Sequence, residues 1–174
     1  MFALIFGLSF LANAQDVQKD QPKGYQFTDI KRLPATSVKD QARAGTCWSW
    51  SGISFFESEM IRMGKEPIDL SAMYIVRHAY SDKATKFVRL HGSMNFAVGG
   101  AFCDVMHVIK NYGIVPMDVY MGLNYGEPNH AFGEIDDVLA GYINAVIKNS
   151  NKKLSTAWKK GFDGILDAYL GEEP

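Results

Sequence analysis

The sequence predicts a predominantly helical domain. Apolar residues recur at helical steps in five separate stretches, glycine or proline punctuates the stretches, and the alternating pattern of a half-buried strand is scarcely present. A length of 174 residues suits one domain or one lobe of a larger one. Hydrophobic residues at 47% and charged residues at 21% are ordinary for a packed globular chain. The formal net charge of -1 gives no sign of a nucleic-acid or anionic-membrane surface, and neither is expected as a partner. Two cysteines, Cys47 and Cys103, are too few for a disulfide framework, so each is read as a thiol.

From the start of the chain, Met1 to Leu11 is almost wholly apolar and Ala12-Asn13-Ala14 follows. This matches the core and cleavage site of a secretory signal over residues 1–14, although no Lys or Arg precedes the apolar run. The run is too short to span a bilayer, so no stable membrane insertion is expected. Export to the periplasm or exterior is the expectation, with a cytoplasmic location as the alternative. Residues 15–33 read as a polar linker passing into an extended segment. A first helix starts near Trp48, carries Ile53, Phe56 and Met60, and is stopped by Gly64. Asp69-Leu70-Ser71 opens a second helix bearing Met73, Ile75, Val76 and Ala79. Ser81 to Asn95 is polar and irregular and reads as loop. A third helix, Ala101 to Tyr112, ends at Gly113 and Pro116. Tyr120 to Pro128 is rich in turn residues, and two further amphipathic helices fit Glu134–Lys148 and Thr156–Leu170. Cys103, beside Phe102, Val105 and Met106, is expected to be a buried or half-buried thiol, unbonded to Cys47.

Chemistry concentrates around Cys47. A thiol attacks as thiolate, and a helix N-terminus favours negative charge through its unpaired N–H groups. Cys47 stands where the first helical pattern begins, and Gly45 permits a tight backbone approach just before it. The Cys47 N–H and the Gln41 side-chain amide could then both donate to a developing oxyanion. On the bare residues, a cysteine beside a tryptophan at a helix start is more often buried packing than a nucleophile.

The string Gln41-Ala42-Arg43-Ala44-Gly45-Thr46-Cys47-Trp48-Ser49 resembles the motif Q-x-x-x-x-G-x-C-W-[SA] of the papain clan of cysteine peptidases. Asp69-Leu70-Ser71 resembles the opening of that clan's second helix. Gly99-Gly100, followed by a helix and Tyr112-Gly113-Ile114-Val115-Pro116, resembles its G-G…Y-G-[IV]-x-P stretch. Ala44 stands where many secreted relatives carry a disulfide cysteine; the bleomycin hydrolase/aminopeptidase C branch likewise lacks that disulfide. The helices after Gly126 also look like that branch's helical insertion. The resemblance implies an α+β papain-like fold, with its helical lobe over residues 34–125 and an insertion over 126–174. It implies peptide-bond hydrolysis through a thioacyl-enzyme, aminopeptidase-like. Cys47 would be the nucleophile and Gln41 the oxyanion donor. Gly99, Gly100 and Trp48 would bind substrate, with Gly100 the likelier backbone contact of the pair. It implies no cofactor or metal, a peptide as partner, and a hexamer for the full-length enzyme.

Such an enzyme needs a histidine base oriented by Asn or Asp, about 130–150 residues after the cysteine in papain-like enzymes. That position falls after Pro174, so the β-rich lobe with the catalytic His is expected to be absent from this stretch, which reads as an N-terminal fragment inactive by itself. His78 and His91 match no family position. His107 shares a helix face with Cys103, but two ligands are too few for a metal site. His130-Ala131 superficially echoes the family's His-Ala pair in the wrong surroundings. Glu57 and Glu59 point to different sides of a helix and form no acid/base pair. Two other classes remain open: a non-catalytic remnant holding an extended peptide on Gly99-Gly100, and a thiol redox protein using Cys47 with Cys103.

Overall fold

The computed structural model describes residues 24, 25 and 27–174. The expected signal segment 1–14 and most of the linker that follows lie outside the described residues. The chain divides into two compact units after Arg32. In the first unit, Gly24, Tyr25 and Phe27 to Arg32 are exposed and form neither helix nor strand, with the Tyr25 and Phe27 rings 6.3 Å apart.

The second unit, Leu33–Pro174, is built from five helices: α1 Cys47–Arg62, α2 Ala72–Arg89, α3 Phe102–Tyr112, α4 Gly133–Ile147 and α5 Ala157–Leu170. Among the described residues there is no sheet, only two isolated bridges, Arg43 with Ala131 and Leu70 with Pro116. The architecture is that of a helical lobe, as the sequence leads one to expect, without a β-rich lobe among these residues.

Helix α2 is the hub. It packs against each of the other four helices, while α1 also meets α3, and α4 meets α5. Every residue from Ser71 to Tyr80 is buried. A helix buried all round must be apolar all round or must pair its polar groups. Arg77 accordingly pairs with Asp167 of α5. Ser71 caps the helix by accepting from the Tyr74 N–H at 3.0 Å, and donates to the Tyr120 carbonyl at 2.6 Å. The expected loop over Ser81–Asn95 is a correction: α2 continues to Arg89. Its second half keeps Ala84, Phe87 and Val88 inside, at helical spacing from Tyr80. The polar residues that suggested a loop serve helix contacts: Ser81 donates to Asp163 at 2.9 Å, and Asp82 accepts from Tyr112 at 2.7 Å.

The other boundaries have local causes. Gly64, at φ 79°, ends α1 by a backbone bond to Ile61, and Gly113, at φ 89°, follows α3. The Asp104 carboxylate accepts from the Ala101 N–H at 2.8 Å and starts α3. Gly52 admits α3 against α1, because a Cβ there would lie 2.8 Å from Val105. Glu57, interrupting the apolar stripe of α1, is fully buried. It accepts from the Leu70 N–H at 2.7 Å, from Thr36 at 2.5 Å and from Lys39 at 2.6 Å. It thereby fastens segment 36–39 and the entry of α2 to α1.

Candidate active site

Residues 40–46 form a tight loop leading into α1. The Asp40 carboxylate accepts from the Ala42 N–H at 2.7 Å, stabilising Ala42 at φ 51°, and the Ala44 N–H reaches the Gln41 carbonyl at 3.3 Å. Two bonds anchor the loop to a distant segment: Arg43 N–H to the His130 carbonyl at 2.8 Å, and Phe132 N–H to the Arg43 carbonyl at 3.2 Å. Gly45 turns at φ 64°, and a Cβ on it would lie 2.7 Å from Val98. Thr46 is the N-cap. Its carbonyl accepts from Ser49 and Trp50 N–H groups, and its buried hydroxyl accepts from the Trp50 indole at 3.2 Å.

Cys47 is the first residue of α1, and its thiol is exposed and free. Within the described residues, the Cys47 and Trp48 N–H groups donate to no partner, the usual condition of a helix's first turn. The Gln41 side chain is half-buried and its amide likewise makes no hydrogen bond among these residues. The motif therefore places an accessible thiol at the positive end of a helix, where the first-turn N–H groups of Cys47 and Trp48 are uncommitted.

The glycine pair adjoins this loop. Val98 fills the space above Gly45, and its carbonyl accepts from the Trp48 indole at 3.0 Å. Gly99 and Gly100 are exposed. The Trp48 ring lies directly beneath Gly100, where a Cβ would come within 2.5 Å of it. Trp48 is thus a buried support for the strip rather than an exposed wall. Lys83 completes the arrangement. Its ammonium donates to the Gly99 carbonyl, lies 3.5 Å from the Ala97 carbonyl, and stands 5.2 Å from the Trp48 ring centre and 5.7 Å from that of Tyr80. Burial draws its pKa below the ordinary lysine value. Lys83, Val98 and Thr46 escape a sequence reading: the first lies in the stretch read as loop, and the other two act through tertiary contacts.

No histidine is hydrogen-bonded to Cys47 among the described residues. His130 is buried, its ring 5.9 Å from that of Trp50 and 6.2 Å from that of Phe132, with Nδ1 unpartnered. Burial lowers its pKa, so the neutral form is favoured. His78 is stacked on Tyr112 at 4.2 Å with Glu173 3.3 Å away. His107 pairs with Asp82 at 3.1 Å, and His91 sits in the turn after α2. Cys103 is free, as expected, but exposed, correcting the expectation of burial. On α3 the inward residues are Val105 and Val108, and a position two before Val105 points away from them. No group of three or more potential metal ligands occurs among the described residues, and no helix among them is long and apolar enough to cross a membrane.

Known proteins give a consistent outcome. The papain family cysteine protease pattern matches residues 22–157. Among curated proteins no sequence matches. Of solved structures, PepW from Lactobacillus rhamnosis HN001 is similar with a TM-score of 0.56 at 19% identity, over 82% of this chain and 38% of that one. At that identity the likeness concerns the fold alone, and the chain spans well under half the length of PepW. Because the family pattern runs through the loop, α1, α2, the glycine pair, α3 and α4, the chain belongs to the papain family of cysteine proteases.

Proposed function

We propose that this chain provides the nucleophile-bearing lobe of a cysteine peptidase of the bleomycin hydrolase/aminopeptidase C branch. The observation that carries this reading is Cys47 at the first position of α1: an exposed free thiol whose own N–H is uncommitted. The reading assigns the Gln41 amide, which has no other partner among the described residues, as the second donor. The Cys47 sulfur attacks the scissile carbonyl carbon, and the carbonyl oxygen takes the negative charge, which those two donors stabilise. The C–N bond then breaks, and the amine leaves with a proton from a histidine that the full-length enzyme brings to the cleft. Water cleaves the resulting thioester, releasing the acid and restoring the thiol. Gly99 and Gly100 present backbone to an extended peptide, and Trp48 supports them from below.

Helices α4 and α5, packed on α2 after Gly126, support the choice of branch. Aminopeptidase action and hexameric assembly follow from that choice. The apolar run and Ala12-Asn13-Ala14 support export.

Cys103 serves as an internal control, since it too is exposed and free. A peptidyl vinyl sulfone should modify Cys47 far faster than Cys103, as read by peptide mass mapping, and Cys47→Ala should abolish the fast phase. Equal labelling of the two thiols would overturn the reading.

A further inference from the structure

The Gly99 carbonyl and the Gly100 N–H belong to one peptide group. The carbonyl accepts a charge-assisted hydrogen bond from Lys83, while the N–H points to no partner among the described residues. Hydrogen bonding to the oxygen of an amide withdraws electrons from its nitrogen and makes its N–H a stronger donor. The Lys83 ammonium is partly desolvated between Trp48 and Tyr80, which strengthens its field on the carbonyl. The same ammonium lies 3.5 Å from the Ala97 carbonyl, so it also restrains the strip at a second carbonyl.

We propose that Lys83 is a positioning residue for substrate: it orients and polarises the Gly99–Gly100 peptide group so that the Gly100 N–H binds a backbone carbonyl of an extended peptide. This rests on the reading of Cys47 as nucleophile and of the glycine strip as the peptide-binding edge. Trp48 supplies the floor, and Lys83 sets the plane of the peptide group. A preference for extended peptides over small electrophiles is the functional consequence, since only a peptide carries a backbone carbonyl remote from the carbon that reacts with the thiol.

The test uses the whole chain and two reagents. Iodoacetamide reports the intrinsic reactivity of Cys47. A peptidyl vinyl sulfone reports reactivity with backbone binding, and its analogue with an ester at the contacting linkage has a weaker carbonyl acceptor. Lys83→Met keeps the aliphatic stem and removes the charge; Lys83→Arg restores a charged donor. With Lys83→Met the peptidyl reagent should slow by about tenfold, a typical loss for a charge-assisted bond. Iodoacetamide should be unaffected, the ester analogue should lose much less, and Lys83→Arg should recover most of the rate. If the wild-type chain shows no preference for the peptidyl reagent at Cys47 over Cys103, the underlying reading fails. If the preference exists and Lys83→Met leaves it intact, Lys83 is not the positioning residue. Equal slowing of iodoacetamide, or a melting point lowered together with both rates, assigns Lys83 to general stability and overturns the proposal. An equal loss with the ester analogue overturns the proposed carbonyl contact.

Discussion

Gly100 has no room for a side chain. A Cβ would sit 2.5 to 3.0 Å from three atoms of the Trp48 ring, and Trp48 is held by its bond to the Val98 carbonyl. Gly100→Ala should therefore displace either the strip or the indole, at a cost of about 1–3 kcal/mol for overpacking. It should slow peptidyl labelling of Cys47 more than alkylation by iodoacetamide. Equal effects on both reagents would show that the strip plays no part in peptide binding. Gln41 offers a cleaner separation because its amide supports nothing else among the described residues. In the full-length enzyme, Gln41→Ala should lower kcat by about 10²–10³ with little change in KM, since the donor acts on the oxyanion rather than on bound substrate. An unchanged kcat would remove Gln41 from the mechanism. The motif from Gln41 to Trp48 is legible in the sequence because its parts are contiguous, although Val98, His130 and Phe132, which brace it, come from far along the chain. The contacts of Lys83 and His130 are not legible, because their partners lie far away in the chain. Cys103 misleads for a different reason: apolar neighbours in sequence are not neighbours on a helix face.

Glu57 shows how one buried charge joins elements. It binds the Lys39 ammonium, the Thr36 hydroxyl and the Leu70 N–H, and so couples α1 to the entry of α2 and to the segment before the loop. Glu57→Ala would leave the Leu70 N–H unsatisfied, while Lys39 keeps Asp69 as an ion-pair partner at 2.8 Å. An unsatisfied buried donor costs about 1–3 kcal/mol. Chemical denaturation should register that loss, and a change below about 1 kcal/mol, the worth of an exposed pair, would mean the network is replaceable by water. A second prediction concerns α4, where burial pushes the Asp136 carboxyl up to about 6 despite the Tyr80 hydroxyl that donates to it at 3.0 Å. The folded value exceeds the ordinary 3.8, so the ionised form is disfavoured in the fold. Near neutrality this opposes stability, and the penalty falls away as pH drops through 6 toward 4. His130 acts in the opposite sense: its folded pKa lies below 6.5, so stability is full above that value and declines as pH falls through the lowered one. Asp136→Asn should raise the melting temperature at pH 7–8 by about 2–4 °C, the shift for about 1 kcal/mol in a chain of this size. It should also steepen the loss on acidification, because His130 then goes unopposed. A flatter acid limb would show that Asp136 is not the group responsible. Helix positions were legible from spacing and glycine stops, whereas the length of α2 was hidden by polar residues that a helix can use against its neighbours.

At the scale of the molecule, α1, which begins at Cys47, also carries an open apolar patch shared with α3. Phe55 is half-exposed, its ring 5.5 Å from that of Phe102, and Phe56 stacks on Phe102 at 5.7 Å, with Met106 also half-exposed on α3. Apolar clusters of this kind mark surfaces that are covered by another body of protein. The 174-residue chain by itself should bind a hydrophobic dye and self-associate, and Phe55→Ser with Phe102→Ser should suppress both. Persistence of dye binding in the double variant would locate the exposed surface elsewhere. The same chain should show no turnover of aminoacyl or peptide substrates, because no histidine among the described residues is bonded to Cys47 to protonate the amine. Hydrolysis abolished by His130→Ala would make His130 the base instead. Membership of the papain family was legible from about a dozen residues around the cysteine and the glycine pair. Those residues carry no signal for a branch or an assembly.

The bracing of the Cys47 loop has a consequence for how the protein is made. The loop's supports arrive late on the ribosome: Val98 follows Trp48 by fifty residues, and the partners of Arg43 come later still. A nascent chain halted before Val98 therefore carries Cys47 without the strip, the indole support or the Arg43 bridge. The downstream sequence therefore fixes the shape of the loop, and a chain still in synthesis carries Cys47 in a loop not yet braced.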